Sequence, residues 1–138
     1  MLKVAFASRD RLMVDQHLGA AMGFVIYAVS AGQAQLVAVL EFPPEGMDGN
    51  ENKLAAKIEA LEGCAAMYCL AVGGSAVRQL LAAGIQPLRL EEPANIEELL
   101  TSVRQGVAQG GNPWIDKALR TRDDPTRFER MAEEGWQE

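Results

Sequence analysis

Residues 24–29 read Phe24-Val25-Ile26-Tyr27-Ala28-Val29, a strand-length run that is apolar on both of its faces. Successive side chains of an extended chain leave opposite sides, so this run needs cover on both. It therefore belongs inside a layered α/β fold. With 138 residues, 49% of them apolar, the chain is long enough for one such domain and too short for two ordinary ones. A core of that size forms without disulfides or a structural metal.

The rest of the pattern agrees. Leu2 to Ala7 alternates, with Leu2, Val4 and Phe6 on one face and Lys3, Ala5 and Ala7 on the other, as a strand entering a core does. Ser8 to Gln16 is polar and interrupts it. Gly23 to Val29 and Gln35 to Phe42 flank the turn signal Ser30-Ala31-Gly32 and predict a hairpin, with Leu36, Ala38, Leu40 and Phe42 on one face. Asp48 and Glu51 have capping-box spacing, and Leu54, Ile58 and Leu61 form the stripe of the helix that follows, with Lys53, Lys57, Glu59 and Glu62 largely outside it. Gly63 ends that helix. Ala65 to Val72 reads as a strand, Gly73-Gly74-Ser75 as a turn, Ala76 to Ala83 as a short helix closed by Gly84, and Ile85 to Leu90 as a strand that Pro87 assigns to a sheet edge. Asn95 and Glu98 cap a last core helix with Ile96, Leu99, Leu100, Val103 and Val107 on one stripe. The expected fold is a mixed five-stranded sheet with flanking helices over residues 1–110, followed by a helical tail over 111–138.

Charge and cysteine usage exclude several functions. Residues 1–90 carry 7 basic and 8 acidic side chains and residues 91–138 carry 6 and 11, so the net charge of −6 lies mostly in the last third. Nucleic-acid binding draws on a basic surface that this chain lacks. No apolar run reaches the ~20 residues of a membrane helix, and Met1-Leu2-Lys3 leads directly into strand-like sequence, which together predict a cytoplasmic protein. Cys64 and Cys69, the two cysteines, are five residues apart; on one strand that is roughly 16 Å, beyond disulfide reach, and the odd offset sends them to opposite faces. Small buried hydrophobes are the plain interpretation.

A ligand is expected where strand order reverses, between the first strand and the strand at 65–72, at their carboxyl ends. Two segments should line that crevice. One is Ser8 to Gly19, with Arg9, Arg11 and His17; the other is Gly73, Gly74 and Ser75 with Arg78 one turn later. A glycine turn opening a helix offers free N–H groups and a positive dipole end, which favour an anion, although the same residues also make an ordinary tight turn. His17, the single histidine, lies in a polar loop and is either a metal ligand or a plain surface side chain.

The runs Lys3-Val4-Ala5-Phe6-Ala7-Ser8, Val14-Asp15-Gln16-His17-Leu18-Gly19, Asp48 to Ile58 and Gly63 to Cys69 through Gly84-Ile85-Gln86-Pro87 resemble the NifX/NifY/NafY family of nitrogenase accessory proteins. The resemblance spans residues 1–120. It implies a ribonuclease-H-like fold and a carrier of iron–sulfur precursor or iron–molybdenum cofactor, with the apo molybdenum–iron protein or cofactor scaffold proteins as partners. It also implies that His17 helps to hold the cluster, with Leu18 in the place of a usual Phe. Two larger relatives, one with an added N-terminal helical domain and one fused to a radical-SAM domain, are not expected. A large sulfide-rich cluster is anionic, and a transient carrier should hold it by few metal bonds, so scarce Cys and His suit the role. Cys69, nearer the crevice than Cys64, is the candidate second metal ligand.

Two rivals stand beside this reading. A ribonuclease-H-like nuclease needs clustered carboxylates, but the first strand and residues 65–72 contain no Asp or Glu, leaving Asp10 and Asp15 as the only crevice-side candidates and predicting no enzyme. The other rival is a chaperone that binds nitrogenase subunits without touching a cluster. In the tail, Trp114 to Arg120 predicts a helix after Pro113, and Phe128, Met131 and Trp136 either fold back onto the domain or anchor a partner.

Overall fold

The computed structural model describes residues 1–19, 21–42 and 51–122. In chain order the elements are β1 (Leu2–Ala7), β2 (Met13–Val14), β3 (Gly23–Val29), β4 (Ala34–Glu41), α1 (Glu51–Ala60), β5 (Ala66–Cys69), α2 (Gly74–Ala82), β6 (Gln86–Arg89), β7 (Ala94–Asn95), α3 (Ile96–Gln109) and α4 (Pro113–Arg122). Five strands make one mixed sheet in the order β4-β3-β1-β5-β6. β3 is antiparallel to both of its neighbours, whereas β5 pairs parallel with β1 and with β6. The direction of winding reverses between β1 and β5, as the order of segments predicts.

Each face of the sheet has its own apolar layer. Ala5, Ala7, Phe24, Ile26, Met67 and Cys69 pack with Ile58 and Leu61 of the α1 region and with Ala76 and Leu80 of α2. Leu2, Val4, Phe6, Val25, Val29 and Ala66 pack with Ile96, Leu100 and Val103 of α3 and with Ile115 of α4. The central run 24–29 is thus covered on both sides. Phe6 lies parallel to Tyr68 at 5.3 Å between ring centroids and edge-on to Tyr27 at 5.9 Å, the two arrangements aromatic quadrupoles favour. On the second face α4 comes close enough to α3 that a Cβ on Gly106 would meet Ile115 Cδ1 at 2.5 Å, so glycine is what admits the fully buried Ile115.

Three local expectations need correction. Cys64 and Cys69 do not face opposite sides: both lie in the layer under α1 and α2, because Cys64 precedes β5, in the turn after α1 where Gly63 has φ +92°, and the alternation does not reach back to it. Both are free cysteines. In β4, Ile26 pairs with Ala38 but Tyr27 with Leu36, so Val37 is an extra residue that bulges the strand. Beyond that bulge Leu36 leaves the inward face that Ala38, Leu40 and Phe42 keep. Finally, β2 lies within Ser8 to Gln16, which reads only as a polar interruption, and forms a separate two-stranded pair with β7 just ahead of α3, Met13 with Asn95 and Val14 with Ala94. Asp48, half of the first expected capping box, lies outside the described residues. Of the second box the N-cap half is present: Asn95 Oδ1 accepts from the Glu98 N–H at 3.3 Å.

Candidate functional site

The carboxyl ends of β1 and β5 are bridged by the loop of residues 8–19, and backbone hydrogen bonds fix its course. Asp15 N–H returns to the Ala7 carbonyl at 3.2 Å, Ile96 N–H donates to Leu12 O at 2.9 Å, and Leu70 N–H donates to Gln16 O at 3.0 Å. Leu18 N–H in turn donates to Ala71 O at 2.9 Å. The Gln16 side chain accepts from Met22 N–H at 2.9 Å and closes the base of the loop. His17 stands between two residues clamped onto the end of β5, with its own side chain exposed. Leu18, by contrast, is fully buried in the layer under α1 and α2.

The two crevice-side carboxylates are occupied by the loop itself. Asp10 Oδ1 accepts from the N–H groups of Leu12 and Met13 at 2.9 and 3.0 Å and from the Ser8 hydroxyl at 3.3 Å. Those backbone donors hold its carboxyl below the usual range. Asp15 Oδ1 accepts from Arg9 N–H at 3.1 Å. Ser8 Oγ also receives the N–H of Arg11, which sits at φ +68°, a left-handed conformation that non-glycine residues seldom adopt.

Arg9 and Arg11 line a cavity of about 170 Å³ with Ser8, Met22, Glu41 and Phe42. Arg11 Nη2 lies 3.6 Å from Glu41 Oε1, an exposed ion pair directed towards β4. On the β5 side, α2 begins with Gly74 and Ser75 already in its first turn; Gly73 is its N-cap, no side chain caps it, and no acid stands in that turn. The Arg78 guanidinium folds back over this terminus: a Cβ on Gly74 would lie 3.6 Å from its Nη1. The sequence-predicted residues therefore form two basic flanks, Arg9 and Arg11 towards β4, and Gly73, Gly74, Ser75 and Arg78 beyond β5. His17 is carried by the clamped loop at the end of β5.

Cys69, the other predicted metal ligand, is fully enclosed beneath this end of the sheet. Burial pushes its thiol up to about 11, a rise that the nearby Arg89 only partly offsets. Cys64 is raised to about 11 by the same cause at the opposite end. Among the described residues no three His, Cys, Asp or Glu side chains converge as a metal site. No helix among them is long and apolar enough to cross a membrane.

One residue at this site is missing from the sequence-based expectation. Lys57 of α1 does not lie outside the helix's apolar stripe: it is 1% exposed, and its ammonium donates to the Gly19 carbonyl at 2.8 Å. Spacing could have revealed it. Leu54, Lys57, Ile58 and Leu61 occupy positions i, i+3, i+4 and i+7, which places Lys57 in the stripe, and only its charge argues otherwise.

The model of the family described as dinitrogenase iron-molybdenum cofactor matches residues 1–106. The chain belongs to this family. It is 51% identical to Protein NifX of Azotobacter vinelandii over 140 residues, covering 100% of this chain and 89% of that protein. It is also similar to Protein NifY of the same organism, at 28% identity over 89% of this chain and 50% of the longer protein. Among solved structures, an NMR structure of a putative NifB protein from Thermotoga superposes with a TM-score of 0.56 at 25% identity, over 78% of this chain and 90% of that one. These relatives place this member among nitrogen-fixation proteins, in agreement with the resemblance carried by its four sequence blocks.

Proposed function

We propose that the protein holds iron–molybdenum cofactor, or an iron–sulfur precursor of it, in transit during nitrogenase cofactor assembly, with His17 as the metal ligand. The observation that carries this reading is the presentation of a single exposed imidazole on a loop clamped at both sides of it to the end of β5. The cargo is anionic, and the groups on the two sides of the loop suit an anion: the uncapped N-terminus of α2 with Arg78 folded over it beyond β5, and Arg9 and Arg11 towards β4. One imidazole with hydrogen-bond donors around it favours hand-over, since few metal bonds have to break. Cys69 enters as a second ligand only if the core opens and its thiol loses the proton that burial holds on it.

The engagement of Asp10 Oδ1 and Asp15 Oδ1 by backbone donors gives both carboxylates a part in holding the loop's shape, which supports a carrier over a hydrolase. The strand order, with β3 alone running against the other four, supports the ribonuclease-H-like assignment. Kinship with NifX and NifY, and similarity to a FeMo cofactor biosynthesis protein NifB, support partners within cofactor assembly, and the partners in this reading are the apo molybdenum–iron protein or a cofactor scaffold protein.

The test is anaerobic mixing with isolated iron–molybdenum cofactor, followed by gel filtration. Iron and molybdenum should co-elute with the wild type, and His17→Ala should retain about a tenth as much or less while its melting temperature hardly moves, since an exposed loop side chain contributes little to stability. Colourless protein that still binds the apo-enzyme would replace the carrier with a chaperone.

A further inference from the structure

We infer that Lys57 is a positioning residue for His17, its buried ammonium fixing the turn that presents the imidazole. This rests on the proposed role of His17 as ligand. Lys57 stands 38 residues from Gly19, on a helix that otherwise meets the sheet through Leu54, Ile58 and Leu61. Its stem crosses that apolar layer, the ammonium passing 5.9 Å from the centre of the Phe42 ring, to reach the Gly19 carbonyl at 2.8 Å. That bond is among its contacts.

A cation at 1% exposure is a costly way to fill such a position, because desolvating an ammonium opposes folding and methionine would pack along the same path without that cost. What the ammonium does that methionine cannot is grip a backbone oxygen two residues beyond His17. The loop is held on its other side by Gln16 O and Leu18 N–H, which bond Leu70 and Ala71. Leu18 N–H and the Lys57 grip on Gly19 O follow His17 within two residues, so together they set the direction in which the chain leaves it. Without the grip, the turn after His17 is restrained by the Leu18 bond and by Ala21 N–H to Leu18 O at 3.2 Å.

Lys57→Met and Lys57→Arg separate positioning from general stability. In Lys57→Met, amide exchange at Leu18 and Leu70 should accelerate about tenfold or more while β1 amides keep their protection, because opening is local. Uptake of isolated iron–molybdenum cofactor should fall about tenfold, and Lys57→Arg, which keeps a donor in reach, should restore both readouts at least in part. Unchanged exchange at Leu18 and Leu70 in a folded Lys57→Met protein overturns the inference, as does uniform acceleration that includes β1, which would mean a purely structural lysine. If Lys57→Met does not fold, Lys57→Arg carries the test: any rise in exchange at Leu18 and Leu70 should be matched by a fall in uptake while β1 keeps its protection, and normal exchange with lost uptake, or raised exchange with full uptake, overturns it. His17→Ala, run in parallel, tells the two failures apart. Full cofactor uptake by His17→Ala removes the ligand reading but leaves the exchange result standing, whereas loss in His17→Ala with full uptake in Lys57→Met removes the positioning role alone.

Discussion

The two ends of the central sheet differ in cavity size and in donor chemistry, in opposite senses. At the amino ends of β5 and β6 lies a cavity of about 470 Å³, walled by Cys64, Leu81, Ile85, Trp114 and Ala118, with Lys117 and Gln86 as its polar members. At the carboxyl end of β1 the cavity beside Arg9 and Arg11 is about 170 Å³. The smaller end carries the donor groups: an exposed imidazole on a fixed backbone, the uncapped N-terminus of α2 with Arg78 over it beyond β5, and Arg9 and Arg11 towards β4. The larger end is lined mainly by carbon atoms. A hollow shows where packing stops, while a site needs donor atoms whose directions the backbone has already set.

Variants at either end can break this comparison. The largest expected effect is on stability at the amino end. Ile115→Ala should cost about 2–5 kcal/mol, because it deletes a fully buried side chain seated against Gly106, and chemical denaturation measures it. The folded fraction of that variant should still take up cofactor; loss of uptake in properly folded protein would mean the two ends are coupled. A smaller effect is expected from charge removal. Arg78→Gln should weaken cofactor uptake by a few-fold, about 1 kcal/mol, while Lys117→Gln leaves it unchanged, and equal losses would indicate that bulk charge, not the α2 terminus, attracts the anion.

An effect that depends on pH is shared by both ends. Cys64 and Cys69 ionise near pH 9 when exposed, and burial raises each to about 11. Their protonated state thus favours the folded chain below pH 9, and this contribution is lost as pH rises from about 9 through 11. Denaturant midpoints should decline over that window more in the wild type than in Cys64→Ala/Cys69→Ala. Tyr68, raised by burial as well, is common to both proteins and cancels in the difference. Parallel pH curves would mean that the thiols reach water.

How legible the molecule was depends on how many residues carried each message. β1 and β3 begin and end where alternation and double-sided apolarity put them, because six or seven consecutive side chains repeat the same signal. The hairpin turn is equally plain, with Ser30 N–H bonded to Gln33 O at 2.9 Å. By contrast β2 and β7, at two residues each, are too short to show a period, and their pairing is decided by Leu12 and Ile96 meeting across the fold. The β4 bulge is set by its partner strand, so Val37 alone does not announce it. At the candidate site, chain order puts His17 and Arg78 beyond the carboxyl end of β5, and they lie there, His17 on the loop bonded to Leu70 and Ala71 and Arg78 over the start of α2. Lys57 was hidden because charge normally signals solvent, and only the tertiary fold reveals the carbonyl waiting at the far side of the core.

The sheet's two margins carry a further consequence. Gln86 N–H and Leu90 N–H both point inward, to Ala65 O and Cys69 O, so the intervening Pro87 stands where a donor would otherwise face outward from β6. On the opposite margin β4 is broken by the Val37 bulge, beside which Leu36 and Val37 are about half exposed. Neither border offers an unbroken ladder to a neighbouring chain. Copies of this protein should therefore resist stacking edge to edge into aggregates even when concentrated, despite the sticky pair at Leu36 and Val37.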